Sequence, residues 1–279
     1  MKIRKAVITA AGKNQRTLPL QTLVDRDGQT KPALTIILQE IVQAGIEEIG
    51  TVIFPGDQDS FKTAAGPYAN RVRFIEQTQP LGYGHAVLSA HSFTGDEPFV
   101  LMVGDHLYVN KGQKSCANQL IEIAEAESCV LSAVQATHES KLPYFGTVGA
   151  RRIPGCAALY QVDTVIEKPT PTIAEQKLII PGLRAGHYLC FFGMHVLTAT
   201  VMDLLEDMVQ QAGSAGGVHL STALAKIPGR ERYLACELQG HRYDIGVKYG
   251  LLTAQLALAF NGQDRDEVLG SLVEMLAQK

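Results

Sequence analysis

Short apolar runs alternate with longer helical patterns through the first half of the chain. The apolar runs have the length and the β-branched composition of buried strands, whereas the segments between them repeat apolar residues at helical spacing. The apolar runs are 6–10, 51–54, 99–103 and 129–134, and the helical patterns are 32–44, 84–90 and 118–126. This alternation predicts βαβ units that build a mostly parallel sheet with helices on both faces.

The pattern of alternating strands and helices changes from about Lys141. Extended stretches occur at 146–148, 164–166 and 188–192, separated by turns rich in proline and glycine. They predict inserted, antiparallel strands at one edge of the sheet, and helical patterns return at 198–211, 220–226, 248–260 and 266–277. The predicted fold is one α/β domain over residues 1–279, with a Rossmann-like, mostly parallel mixed sheet flanked by helices.

Composition narrows the class of protein. The chain of 279 residues has a net charge of −3 and five scattered cysteines without a Cys-x-x-Cys pair. An acidic balance disfavours nucleic acid as a partner, and the cysteine spacing indicates neither a disulfide framework nor a zinc site. Without a long apolar segment or a signal-peptide pattern, we expect a cytoplasmic protein that is not inserted in a membrane. Assembly into a homo-oligomer stays open.

In a doubly wound sheet, ligands bind beyond the carboxyl ends of the strands. After the first strand comes a small-residue loop, 10–16, which contains Gly12 and the two cations Lys13 and Arg16. Backbone N–H groups and positive charge suit a phosphate, although glycine in such a loop is also common as a plain structural turn. After the run 72–75 come Gln77 and the turn that begins at Gly82, where a planar base could lie against the backbone.

Three acidic residues also follow predicted strands. Asp105 follows the apolar run 99–103, and Asp244 stands at another predicted strand-to-helix junction. Two carboxylates that converge on one site would suffice for Mg²⁺ beside phosphate oxygens. Each could instead cap a following turn or helix. Glu167 and Lys168 end another strand immediately before Pro169, where an acid–base pair is otherwise typical of a solvated face.

Taken in order, these motifs resemble the sugar-1-phosphate nucleotidyltransferases, most closely the bacterial UTP–glucose-1-phosphate uridylyltransferases. The matching positions are Ala10-Ala11-Gly12 with Arg16 and Leu18-Pro19, Lys31-Pro32, Ala44-Gly45-Ile46, Gln77, 82–87 through His91, 95–98, Asp105, 144–146, 167–169, 186–188 and 244–246. The resemblance runs over nearly the whole chain. It implies transfer of a nucleotidyl group from UTP to a sugar 1-phosphate, with glucose 1-phosphate favoured and Mg²⁺ as the cofactor.

The resemblance also implies a role for each matching residue. Residues 1–140 form the nucleotide-binding half, 141–246 the sugar-phosphate half, and 247–279 the C-terminal helices. The nucleotide contacts implied are Ala10, Ala11, Gly12, Gln77 and Gly82, and the sugar-phosphate contacts are Gly146, Glu167, Lys168 and Gly186. Asp105 and Asp244 are the implied metal ligands. We assign catalytic roles to Arg16, Lys13 and Asp105.

Two departures from the family pattern bear on activity. The family's Pro-Lys-Glu segment, whose lysine grips phosphate, has no counterpart between Pro19 and Asp25, and Lys31 matches a different position. The stretch 217–222 replaces a motif in which the family has acidic residues near the sugar. Lys13 could substitute for the absent lysine, or the protein could be a catalytically silent nucleotide- or UDP-sugar-binding relative. The choice between UTP and dTTP stays open.

A Rossmann dehydrogenase is the remaining alternative, since the chain opens with a βαβ pattern. The loop after the first strand does not read Gly-x-Gly-x-x-Gly, and no acidic residue ends the second strand at 54–56. Both signals that nicotinamide cofactors require are therefore missing, and the nucleotidyltransferase interpretation is favoured.

Overall fold

A mixed β-sheet lies at the centre of the molecule. The structure is a computed structural model, and it describes residues 1–13, 15–110, 112–213 and 217–278. The strands are β1 (Lys5–Thr9), β2 (Thr22–Val24), β3 (Thr30–Pro32), β4 (Glu48–Ile53), β5 (Val72–Glu76), β6 (Phe99–Val103), β7 (His106–Val109), β8 (Val130–His138), β9 (Gly146–Arg152), β10 (Leu159–Glu167), β11 (His187–Leu197), β12 (Tyr233–Glu237) and β13 (His241–Asp244). Within the described residues, the main sheet has the order β5-β4-β1-β6-β11-β8-β12-β10-β9.

Helices cover this sheet. They are α1 (Ala33–Gln43), α2 (Gln58–Ala64), α3 (Tyr83–Leu88), α4 (His91–Thr94), α5 (Cys116–Glu127), α6 (Pro171–Lys177), α7 (Ala199–Ala212), α8 (Leu220–Leu224), α9 (Gly250–Phe260) and α10 (Arg265–Ala277). Two hydrophobic clusters hold helices and strands together, one on each face of the sheet. Among the described residues, none of the helices has the length and hydropathy that crossing a bilayer requires.

The first half of the sheet is parallel, as predicted. β5, β4, β1 and β6 are parallel neighbours. All five residues of β1 are buried, because helices cover both faces, and this is why its central residues 6–8 read as an apolar run. The predicted run 99–103 coincides with β6.

The second half contains the predicted antiparallel strands. β11 runs antiparallel to β6 through Met194–Leu197 and antiparallel to β8 along most of its length, and its first half also pairs with β9. β5, β4, β1, β6, β8, β12 and β9 run in one direction, whereas β10 and β11 run in the opposite one. The register of β11 shifts between Phe191 and His195, where Gly193 has a φ of 89°. This bulge changes the direction of β11 beside the cavity of the candidate active site.

A small hairpin occupies the chain after Pro19. β2 and β3 pair antiparallel around a turn that contains Gly28, whose φ is 73°. The Lys31 ammonium lies 2.7 Å from the Asp25 carboxylate and 2.5 Å from that of Asp27. These two ion pairs therefore hold the hairpin together, and α1 follows it in the chain.

Candidate active site

A cavity of about 580 Å³ lies at the carboxyl ends of β1, β5 and β6. β9, β10 and the bulged part of β11 form its opposite wall, through Gly146, Glu167 and Gly193. This is the position in which an open α/β sheet binds its ligands.

Most of the predicted site residues meet at this cavity. Its lining includes Ala10, Ala11, Gly12, Lys13, Gln77, Gly82, Asp105, Gly146, Glu167, Lys168 and Asp244. They come from both predicted halves of the chain, so that one cavity joins the two sets.

Arg16 and Gly186 do not line the cavity. The Arg16 guanidinium is 3.1 Å from the Asp57 carboxylate and lies over the Phe54 ring, 4.5 Å from its centroid. Gly186 precedes β11 and lies beside Glu139. The glycine of β11 that reaches the cavity is Gly193, seven residues further on, to which sequence reasoning assigned no role.

On one side of the cavity, Gln77 is held by the turn that follows β5. Its Nε2 donates to the Gly82 carbonyl at 3.3 Å and lies 3.0 Å from His85 Nδ1. Burial lowers the pKa of His85, so the neutral ring can accept this second bond. With both amide protons engaged, the Gln77 carbonyl oxygen is left as the acceptor.

The backbone geometry at position 82 requires a glycine. Its φ is 117°, and a Cβ at this position would lie 2.6 Å from the Val218 carbonyl oxygen. Two backbone bonds join the segments here, because the Gly84 N–H donates to Val218 and the Val218 N–H donates to Leu81. The turn is thereby fixed against the segment that starts α8.

Between the two walls, two carboxylates converge. β7 and β13 pair so that Asp244 lies opposite His106, and one ligand atom each of Asp105, His106 and Asp244 lies within 4.8 Å of the others. Asp244 does not cap the following helix, because α9 begins at Gly250. Carboxylate oxygens suit Mg²⁺, whereas the His106 nitrogen is the partner of Asp105 Oδ1 at 2.8 Å. The donor set therefore fits a magnesium ion held by the two aspartates.

Asp105 is charged at neutral pH. Burial by itself would raise the pKa of Asp105, but the hydrogen bond and the charge of His106 outweigh it, and the pKa is lowered. Asp244 Oδ1 accepts the Gly246 N–H at 2.8 Å, which orients the second carboxylate.

On the opposite wall, backbone geometry brings Glu167 and Lys168 to the cavity. Lys168 has a φ of 46° directly before Pro169, an unfavourable conformation for a lysine. Its N–H donates to the Phe145 carbonyl at 3.2 Å, which holds the strained residue in place. A Cβ on Gly146 would lie 2.6 Å from the Phe191 ring, so only glycine allows this close packing.

Arg242 supports this wall, and sequence reasoning assigned it no role. Its guanidinium donates to the Phe191 carbonyl and lies over the Phe145 ring, 3.7 Å from the centroid. The residue is 9% exposed, and burial lowers its pKa. Its position two residues before Asp244 was the only sequence signal, because its contacts are distant in the chain.

His195 also lines the cavity, and sequence reasoning assigned it no role. It is 3% exposed, and its Nδ1 lies 2.7 Å from the Ser132 hydroxyl. Ser132 in turn lies 2.7 Å from the Tyr233 hydroxyl. Burial lowers the pKa of His195 to about 3, so the ring is neutral in the folded protein near pH 7.

We expect this buried histidine to make the fold sensitive to acid. Between about pH 6.5 and pH 3, the unfolded chain binds a proton at His195 that the folded chain does not. Its contribution to stability is therefore complete above about pH 6.5, and falls by up to about 1.4 kcal/mol per pH unit below it. Urea unfolding of wild type and His195→Gln at about pH 7.5 and pH 5.5 measures this, and the variant should lose less stability on acidification. The exposed His241, changed to Gln, should keep the wild-type dependence, and equal dependence in all three proteins would contradict the prediction.

Comparison with known proteins agrees with this geometry. The sequence profile of the Nucleotidyl transferase family matches residues 5–259. UTP–glucose-1-phosphate uridylyltransferase 1 of Streptococcus pyogenes serotype M3 is 30% identical over 304 residues, covering 99% of this chain and 95% of the relative. The UDP-glucose pyrophosphorylase structure from Acinetobacter baumanii has a TM-score of 0.74 at 25% identity, covering 98% of this chain and 99% of that one.

A further solved structure has the same fold. The crystal structure of UDP-glucose pyrophosphorylase complexed with UDP-glucose has a TM-score of 0.74 at 22% identity, covering 91% of this chain and 98% of that one. The mixed sheet flanked by helices is thus the fold of these enzymes, and the dehydrogenase alternative is excluded. The chain belongs to the nucleotidyl transferase family of enzymes.

Proposed function

We propose that this protein joins UTP and glucose 1-phosphate to form UDP-glucose and pyrophosphate, with Mg²⁺ held by Asp105 and Asp244. One observation carries the proposal. A single cavity has Gln77 and Gly82 on one side, Glu167 on the other, and the two carboxylates between them. The uridylyltransferases to which the chain is similar supply the substrate class.

The reaction requires the protein to hold the two substrates in position and to offset the negative charge of their phosphates. A phosphate oxygen of the sugar phosphate attacks the α-phosphorus of UTP in line, and the bond from that phosphorus to the pyrophosphate oxygen breaks. Two unit charges about 4 Å apart repel by about 4 kcal/mol at an effective dielectric constant near 20. Mg²⁺ would supply positive charge there, and Lys13 and Lys168, two residues that line the cavity, carry further positive charge.

Gln77 supplies selectivity for the base. Since its amide protons are engaged by Gly82 and His85, its carbonyl oxygen can accept the imide N–H that uracil and thymine carry. Gly82 lets the base approach the main chain.

We expect UTP and dTTP to bind more tightly than ATP and GTP. Gln77→Ala should weaken UTP binding about tenfold and reduce the preference, because one hydrogen bond to the base is lost. Calorimetry with the four nucleotides measures this, and Gln79→Ala is a matched control because Gln79 is exposed outside the cavity. Equal affinities for all four bases would be incompatible with this role.

The direct test of the function is a matrix of nucleoside triphosphates against sugar 1-phosphates, scored by pyrophosphate release with Mg²⁺. UTP with glucose 1-phosphate should give the highest turnover. Higher turnover with dTTP or with another sugar would correct the substrate, and chelation of Mg²⁺ should stop release.

A second candidate function is nucleotide or UDP-sugar binding without turnover. The observation that favours it is the chain after Pro19, which forms the β2–β3 hairpin and lacks the family's Pro-Lys-Glu segment. Lys31 cannot replace the missing lysine in this arrangement, because its ammonium is bonded to Asp25 and Asp27. Binding of UTP without pyrophosphate release from any sugar phosphate would establish this alternative.

A further inference from the structure

Three polar side chains that line the cavity, those of Tyr83, His195 and Ser221, have no role in the proposed reaction. The hydroxyls of Tyr83 and Ser221 are buried and make no hydrogen bond of normal geometry with any described residue, although Tyr83 lies beside Thr9. His195 lines the same cavity. Buried polar atoms are rarely left without partners, so such groups at a cavity indicate contact with a ligand.

The hydrogen bonds behind His195 fix which ring nitrogen carries its proton. Among the described residues, the Ser132 hydroxyl is the only acceptor for the Tyr233 hydroxyl proton. When Tyr233 donates to Ser132, the Ser132 proton is free to donate to His195 Nδ1. Nδ1 is then an acceptor, and Nε2 carries the proton.

The cavity wall beside His195 is the one assigned to the sugar. The rings of His195 and Phe191 meet edge to face, with centroids 4.8 Å apart. Phe191 in turn packs against Gly146, whose added Cβ would lie 3.1 Å from a Glu167 oxygen. A neutral N–H donor on this wall suits a hydroxyl oxygen better than a phosphate, which would favour a cation.

We propose that His195 is a specificity-determining residue that donates its Nε2–H to one hydroxyl oxygen of the hexose. Ser132 and Tyr233 act through it as positioning residues, and Tyr83 and Ser221 add two hydroxyls to the polar lining of the cavity. The proposal rests on the proposed function, and it names the part of the substrate that this wall selects.

The experiment combines variants of His195 with sugars that lack one hydroxyl. His195→Phe removes the donor and keeps a planar ring, whereas His195→Gln keeps an N–H at the end of its side chain. KM and kcat are measured for UTP with glucose 1-phosphate and with its 2-, 3-, 4- and 6-deoxy analogues.

His195→Phe should raise the KM for glucose 1-phosphate about tenfold and leave the KM for UTP unchanged, since one hydrogen bond to the sugar is lost. His195→Gln should stay near wild type, and Ser132→Ala should be intermediate because the ring proton is no longer fixed. One deoxy sugar should be used equally well by wild type and His195→Phe, because it lacks the bonded hydroxyl. An unchanged KM, or an equal loss with all sugars, would overturn the proposal.

Calorimetry with UDP-glucose separates this proposal from the proposed function. If wild type turns over glucose 1-phosphate but His195→Phe behaves identically, the His195 proposal alone fails. If wild type is inactive yet His195→Phe binds UDP-glucose about tenfold more weakly than wild type and His195→Gln, the His195 proposal stands and the catalytic function fails. If wild type neither turns over the sugar phosphate nor binds UDP-glucose, both fail.

Discussion

Asp105→Asn should lower Mg²⁺-dependent turnover by roughly 10³-fold or more and leave the fold intact. Asparagine has the shape of aspartate but lacks the charge, and a carboxylate that holds Mg²⁺ beside two polyanions cannot be replaced by an amide without losing that attraction. The lowered pKa of Asp105 means that wild type carries the charge at neutral pH. Asp244→Asn should act in the same direction, because the two carboxylates share the site.

Pyrophosphate release over a range of Mg²⁺ concentrations measures this effect, and circular dichroism checks the fold. Asp163→Asn is the matched control, since Asp163 pairs with Arg151 on the surface at 2.9 Å and does not line the cavity. Unchanged turnover in Asp105→Asn would remove this residue from the site.

Lys13→Ala should lower turnover by about 10²-fold, by analogy with the loss of one preorganised donor to a transition state. Lys13 is exposed at the cavity wall, in the loop that follows β1, and a flexible four-carbon stem can bring its ammonium to the phosphates of a bound nucleotide. Its charge would then replace that of the lysine which the family carries in its Pro-Lys-Glu segment. Steady-state pyrophosphate release measures the loss of turnover. A separate measurement of UTP affinity shows how much of that loss comes from weaker binding and how much from the chemical step.

Lys31→Ala is the matched control for this change. It removes an ammonium of the same kind from an ion pair in the β2–β3 hairpin, so it should lower stability and leave turnover close to wild type. Arg16→Ala should weaken UTP binding indirectly, through the loop that Asp57 and Phe54 hold in place. Robust turnover that survives Lys13→Ala would exclude both the substitute lysine and the silent relative.

Strand and helix positions could be predicted because they depend on local patterns. β6, which helices cover on both faces, is apolar at every position, and its C-terminal end is visible where polar residues begin. The antiparallel strands β9 and β10 were predicted from turn residues that interrupt apolar stretches. The β2–β3 hairpin was not predicted, because its strands are three residues long and carry too little periodicity.

The residues of the candidate site also fall into two groups: those that local sequence patterns locate, and those that only the tertiary structure brings together. The sequence by itself placed Gln77, Asp105 and Glu167 at the ends of apolar runs and Asp244 at a strand-to-helix junction, because strand ends can be located along the chain. Only the tertiary structure decided which of these ends meet: Asp105 and Asp244 converge through the pairing of β7 with β13. It also turned Arg16 towards Asp57 and placed His195 at the cavity through the bulge of β11. Contacts between distant segments depend on strand pairing and side-chain packing in space, and no periodicity along the chain records them.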